Sequence, residues 1–111
     1  MSSETIRAIE ANIREAKKFV EQGEALERLQ ANRDFKKVIL DGYFEQEAIR
    51  LVHLKASPAM QSAEMQKSIV AQMDAIGSLD QYFNTVFQQA NLAIKAIVAD
   101  EQTRDEILAE E

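Results

Sequence analysis

The sequence predicts an all-α fold: a helical hairpin of two long antiparallel helices with an additional N-terminal helix, bundle-like and oligomeric. Three observations predict it. First, Ile69, Ile76, Phe83, Ala90 and Ile97 recur one heptad apart, with Leu79, Val86 and Ala93 at the companion positions. Such spacing lays one apolar stripe along a helix. Second, only 3 Gly and 1 Pro interrupt 111 residues, and these are the residues that break helices. Third, strand-type alternation is missing over any useful length.

The first helix is expected over about residues 3–29. Ile6, Ile9, Ile13, Ala16 and Val20 follow one another in steps of three and four. Ser2 or Ser3 suits its N-cap and Glu4 its first turn. Gly23 weakens it by about 1 kcal/mol relative to Ala, so a kink or an end is expected there. Asn32 caps the second helix, over about 33–56, whose apolar residues cover more than one stripe. A helix apolar on two sides is packed on two sides, which makes it the central element. Ser57-Pro58 ends it, because the residue before Pro avoids the helical region.

Ser62 caps the third helix, expected over 62–98 and about 54 Å long if unbroken. Gly77 in its middle invites a close crossing or a bend. Residues 1–99 thus read as a single helical domain. Beyond them, Thr103-Arg104-Asp105-Glu106 has the form of a capping box for a short last helix, with Ile107 and Leu108 as its apolar anchors. The seam of Ile69, Ile76, Leu79, Phe83, Val86, Ala90 and Ile97 needs a companion helix, from the same chain or from another copy. The third helix outruns the second by about a dozen residues, and projecting apolar surface points to a homo-oligomer.

Charge is unevenly placed. The net value is −6, and residues 100–111 carry six acids (Asp100, Glu101, Asp105, Glu106, Glu110, Glu111) against Arg104, so −5 resides there. The remainder is close to balanced, which argues against a general affinity for nucleic acid. An acidic end of this kind fits a basic protein partner, with Ile107 and Leu108 as docking anchors. There is no Cys, which excludes disulfides and thiolate chemistry. No stretch of about 18 apolar residues offers a membrane span, and the N-terminal residues do not have the pattern of a signal peptide.

No catalytic, cofactor or metal motif stands out. His53, the one histidine, sits on a largely apolar segment and reads as a packed or half-exposed structural residue. Arg28, Arg33, Lys36 and Lys37 form the one basic cluster, placed near a helix start where the dipole disfavours cations. It is a candidate anion site, against the plainer reading of a solvated face. Tyr43, Phe44, Tyr82, Phe83 and Phe87 read as core with two tyrosines at the rim. Asp41 and Glu45 read as solvated acids, and Met60, Met65 and Met73 as gap fillers between helices.

The text from Asn32 to Phe44 (NRDFKKVILDGYF), that from Glu47 to Ala56 (EAIRLVHLKA) and that from Ala75 to Phe83 (AIGSLDQYF) resemble small uncharacterised helical proteins of tailed bacteriophages. The resemblance spans roughly residues 20–111. It implies a virion-assembly or host-takeover factor, in the cytoplasm of the infected host or in the virion; three helices with little concavity separately argue against an enzyme. The resemblance transfers no functional residues. A shorter likeness, over Gln89-Ala90-Asn91-Leu92-Ala93-Ile94-Lys95, is to phage anti-CBASS sponge proteins. That likeness implies the alternative of a nucleotide sponge; the basic cluster read on its own terms would put Arg33, Lys36 and Lys37 on phosphates and Tyr43 or Tyr82 against a base.

Overall fold

The computed structural model describes residues 2–111. Every element among the described residues is helical: α1 (Ser2–Ala31), α2 (Arg33–Phe35), a π-wound stretch (Lys36–Glu47), α3 (Ala48–Ala56), a single 3-10 turn (Pro58–Met60) and α4 (Ala63–Glu110). The all-α class is as expected. The chain gathers into two compact units, one of Met1–Leu26 with Thr85–Glu111, the other of Glu27–Asn84.

Local chemistry sets the element ends. Asn32 has extended backbone (φ −70°, ψ 130°) and its Oδ1 accepts from the Phe35 N–H at 2.9 Å. That is an N-cap satisfying one of the free donors at a helix start. Ser62 Oγ does the same for the Met65 N–H at 3.2 Å. Ser57, ahead of Pro58, is extended with ψ 131°, as the clash with the proline ring requires. Ser2 and Ser3 already lie inside α1, so neither caps it; Met1, the position before, lies outside the described residues.

Two side chains absent from any motif hold the turn between α3 and α4. Gln66 Nε2 donates to the Lys55 and Met60 carbonyls at 2.9 and 2.8 Å, and Gln61 Nε2 donates to those of Lys55 and Ser57 at 2.9 and 2.7 Å. They satisfy carbonyls that a helix C-terminus leaves open. Gln66→Ala is expected to lower stability by about 1 kcal/mol, read from urea unfolding; an unchanged midpoint would remove Gln66 from this role.

The second helical segment explains its own odd pattern. Phe35, Ile39, Phe44 and Ala48 follow one another at steps of four, five and four, wider on average than the 3.6 residues of an α-helical turn. The wider π turn brings such steps to one side. Phe35, Tyr43, Phe44 and Ala48 accordingly all reach the core of their unit, while Lys36, Lys37, Val38, Glu45 and Gln46 are exposed. Gly42 fits this winding, since a Cβ there would stand 3.1 Å from the Lys37 carbonyl oxygen, five residues back. From Ala48 onward the three-and-four spacing of an α-helix resumes, with Leu51 and Leu54 inward. The segment is therefore packed on one side. Val38, Ile49 and Val52 on it are exposed, in place of the expected second packed face.

The core of the 27–84 unit centres on Leu51, which is fully buried against Ile69 and Ile76. Tyr43, Phe44, Ala48, Leu54, Met60 and Met73 surround these three. Phe83 closes the cluster, with ring centroids 6.0 Å from Phe35 and 5.7 Å from Phe44. Edge-to-face and tilted pairs at such distances are favourable beyond their burial.

The other unit is an antiparallel pair formed, among the described residues, by 2–26 and 85–111. Ser2 Oγ donates to the Glu111 carboxylate, and Gly23 lies against Ala90. These two contacts fix the register. At the helical rise common to α1 and α4, Ile6 comes level with Ile107, Ile13 with Asp100 and Val20 with Ala93. Ile13, Leu26, Val86, Ala90 and Ala93 are buried there.

Three expectations change. α4 does not stop at Val98 but continues to Glu110, so residues 100–111 are its end and not a separate short helix. Thr103 caps nothing: its Oγ1 donates to the Ala99 carbonyl at 3.0 Å in mid-helix. The two helix glycines exchange roles. α1 passes through Gly23 without ending and uses it for a close crossing, whereas a Cβ at Gly77 would meet nothing within 4 Å. Gly77→Ala should therefore stabilise the protein by about 1 kcal/mol, seen as a raised thermal midpoint; a lowered one would show an unseen neighbour.

Candidate interaction surface

The seam residues are where packing would put them. Ile69, Ile76, Phe83, Val86 and Ala90 are buried, while Leu79 and Ile97 are half-buried. Their neighbours come from the same chain, as described for each unit. What remains without a companion is a different set of side chains. Among the described residues twelve large hydrophobic side chains are exposed, among them Val38, Ile49, Val52 and Tyr82 in the 27–84 unit and Phe19, Leu92, Ile94, Val98 and Leu108 in the other. Single exposed apolar residues are ordinary; contiguous ones are not.

On α4 they are Met65, Val70, Tyr82, Leu92, Ile94, Val98 and Leu108. Residues 81–94 contain no charged side chain, and extending the stretch to Ala99 adds only Lys95. A helix facing water on its outer side is normally charge-rich there. In the unit of 1–26 and 85–111, the two helices leave an open groove of about 350 Å³ lined by Ala16, Phe19, Gln89, Leu92, Ala93 and Ala96. Of its lining, Ala93 is buried and Ala16 half-buried, while Ala96, Phe19 and Leu92 are exposed, Leu92 by 66%. A second depression further along α4 runs past Val98, Glu101, Gln102, Asp105, Glu106 and Ala109. Sequence reasoning missed the groove because Leu92 stands outside the heptad seam; the lack of charge around it was the available signal.

The basic cluster is exposed at all four positions, Arg28, Arg33, Lys36 and Lys37. None of the four forms an ion pair with another described residue. Of the expected tail anchors only Leu108 points outward. Ile107 is half-buried, at the level of Ile6. His53 is exposed in the last turn of α3. Asp41 is half-buried and Glu45 exposed. Met60 and Met73 fill the core edge as expected, whereas Met65 is exposed. Tyr82 is 53% exposed and Tyr43 half-buried.

Among the described residues no polar or charged residue is buried, and no group of three or more His, Asp or Glu is placed to hold a metal ion. No helix among them is long and apolar enough to cross a membrane.

One exposed ion pair has a defined geometry. The Arg50 guanidinium forks onto Glu47, with its terminal nitrogen 2.9 Å from Oε2. The hydrogen bonds from Arg50 hold the Glu47 carboxyl below the usual glutamate range, and Arg50 is raised in turn. A carboxylate with a depressed folded pKa stabilises above its unfolded pKa, and that contribution fades as pH falls through the folded one. Arg50→Gln should return the Glu47 titration to the ordinary range by NMR; an unmoved titration would dissolve the pair.

No protein-family model, curated protein or solved structure matches this chain.

Proposed function

We propose that this is a non-enzymatic helical protein that acts by self-association and protein–protein contact, in the assembly or structure of a phage virion. The observation that carries the self-association is the exposure of Leu92, Ile94 and Val98 on a stretch of α4, Gln81 to Ala99, whose one charged residue is Lys95. Water is a poor companion for such a surface, and a second protein surface is a good one. The setting in a virion or an infected host cell rests on the resemblance of residues 20–111 to small phage proteins. The acidic end of α4, with Leu108 and Val98 exposed, supports contact with a basic partner surface.

Light scattering over a range of concentrations tests the first part. A defined oligomer is expected, and a strict monomer at high concentration would overturn it. A second reading, an anion or small-nucleotide binder, is supported by the four exposed cations that lack carboxylate partners. A thermal shift with cyclic nucleotides that disappears in Lys36→Glu would favour it over the first.

A further inference from the structure

We propose that the basic elbow at Asn32, carrying Arg28, Arg33, Lys36 and Lys37, is the docking site for the acidic end of α4 of a second copy of this chain. This rests on the self-association reading and names one of its contacts.

Both halves of the contact carry charge that their own helices disfavour. Arg33, Lys36 and Lys37 stand in the first turns after the Asn32 cap, where the positive end of the helix dipole opposes cations. Asp105, Glu106 and Glu110 stand at the other kind of end, in the last turns of α4, with no basic residue in the final turn. There the negative end of the dipole opposes acids. One contact relieves both conflicts. The acids gain cations and a positive helix start; the cations gain acids and a negative helix end.

The chain does not neutralise either half by itself. Among the described residues the ion pairs join Lys18 to Glu15, Arg50 to Glu47 and Arg104 to Asp105. All four elbow cations are thus without a carboxylate partner, and Glu101, Glu106 and Glu110 without a cation. The four cations are exposed, as are Asp105, Glu106 and Glu110. Residues 28–37 sum to +3 and residues 100–111 to −5.

Shape agrees with charge. Glu101, Asp105 and Glu106 edge an open depression of about 520 Å³ that also takes in Val98 and Ala109. Lysine and arginine lay their aliphatic stems on such apolar surface while the charged head reaches an acid. Residues three and four apart on a helix have Cβ atoms about 5–6 Å apart, so Arg33 with Lys36 and Glu101 with Asp105 are pairs of similar span. A long polyanion is a poorer occupant. Outside residues 28–37 the chain sums to −9, so a phosphate chain would run from the elbow onto repelling surface. An acidic helix end delivers its charge within about three turns.

A charge swap tests the pairing. Lys36→Glu with Lys37→Glu, and separately Glu106→Lys with Glu110→Lys, should each weaken association about 10-fold or more by analytical ultracentrifugation. Neither pair should lower the thermal midpoint, because each places the charge that its helix end favours. All four substitutions in one chain restore opposite charges across the contact, and association should return to near the parent value. A four-substitution chain that associates no better than either pair overturns the elbow-to-tail contact but leaves self-association standing. So does a pair variant that associates like the parent, including the case in which elbow reversal abolishes only the binding of an added DNA duplex. A monomeric parent protein overturns both this proposal and the broader reading.

Discussion

Leu51→Ala should lower the stability of the unit spanning Glu27–Asn84 by about 2–5 kcal/mol. Leu51 has no exposed surface and sits against Ile69 and Ile76, with Leu54, Met60 and Met73 around it. Truncation removes the apolar area it hides and leaves a void that helix backbones close only in part. Domains of this size are stable by about 5–15 kcal/mol in all, so the loss is a large share. Both tyrosines, Tyr43 and Tyr82, lie in this unit, and Tyr43 touches the same cluster. Tyrosine fluorescence during urea unfolding therefore follows the relevant transition. Ile49→Ala, two residues away in sequence but exposed, is the control and should cost no more than about 0.5 kcal/mol. A loss below 1 kcal/mol at Leu51, or equal losses at the two sites, would mean that this cluster does not hold the unit together.

The contrast between Leu51 and Ile49 also marks how far the sequence could be read. Both are aliphatic residues of one helix, and composition gives no preference between them. The preference comes from the upstream π winding, which sets the rotation at which α3 begins. On an α-helical count the second segment looks apolar all round. On the wider turn Phe35, Tyr43, Phe44 and Ala48 form one side, and Leu51 and Leu54 continue it. The heptad on α4 was legible because Ile69, Ile76, Phe83 and Ala90 keep strict spacing in apolar residues. Its continuation was not, because the same positions are then filled by Asp100 and Arg104. The polar residues hid the register, and Thr103 with Glu106 imitated a helix start. The helix nevertheless goes on, since Ile107 recovers the stripe opposite Ile6. The candidate surface was the least legible part. Leu92 and Phe19 fall beside their respective stripes, so a search for periodic apolar positions passes over them; only the run of uncharged residues from Gln81 to Ile94 signals that α4 meets something other than water on that side.

Gly23 is the position where the smallest change should have the largest effect per atom added. In an open helix Gly→Ala is worth about 1 kcal/mol of stability, the gain expected at Gly77. At Gly23 the added Cβ would stand 2.5 Å from the Ala90 Cβ, closer than two carbon atoms approach without bonding. Ala90 has no rotatable side chain to move aside, so the helices themselves must separate. Overpacking of this kind costs about 1–3 kcal/mol, against a propensity gain of about 1 kcal/mol, and Gly23→Ala should be net destabilising by up to about 2 kcal/mol. Gly23→Leu should cost more than about 3 kcal/mol, because a whole side chain must enter the same layer. Ala90→Gly provides the decisive companion. It removes the opposing Cβ, so the double variant Gly23→Ala with Ala90→Gly restores the one-glycine, one-alanine layer with the two residues exchanged. A coupling energy of at least 1 kcal/mol is expected in the thermodynamic cycle, with the double variant more stable than Gly23→Ala alone. Simple additivity of the two single changes would show that α1 and α4 do not meet at this layer, and with it the register from Ser2–Glu111 to Gly23–Ala90 would fall.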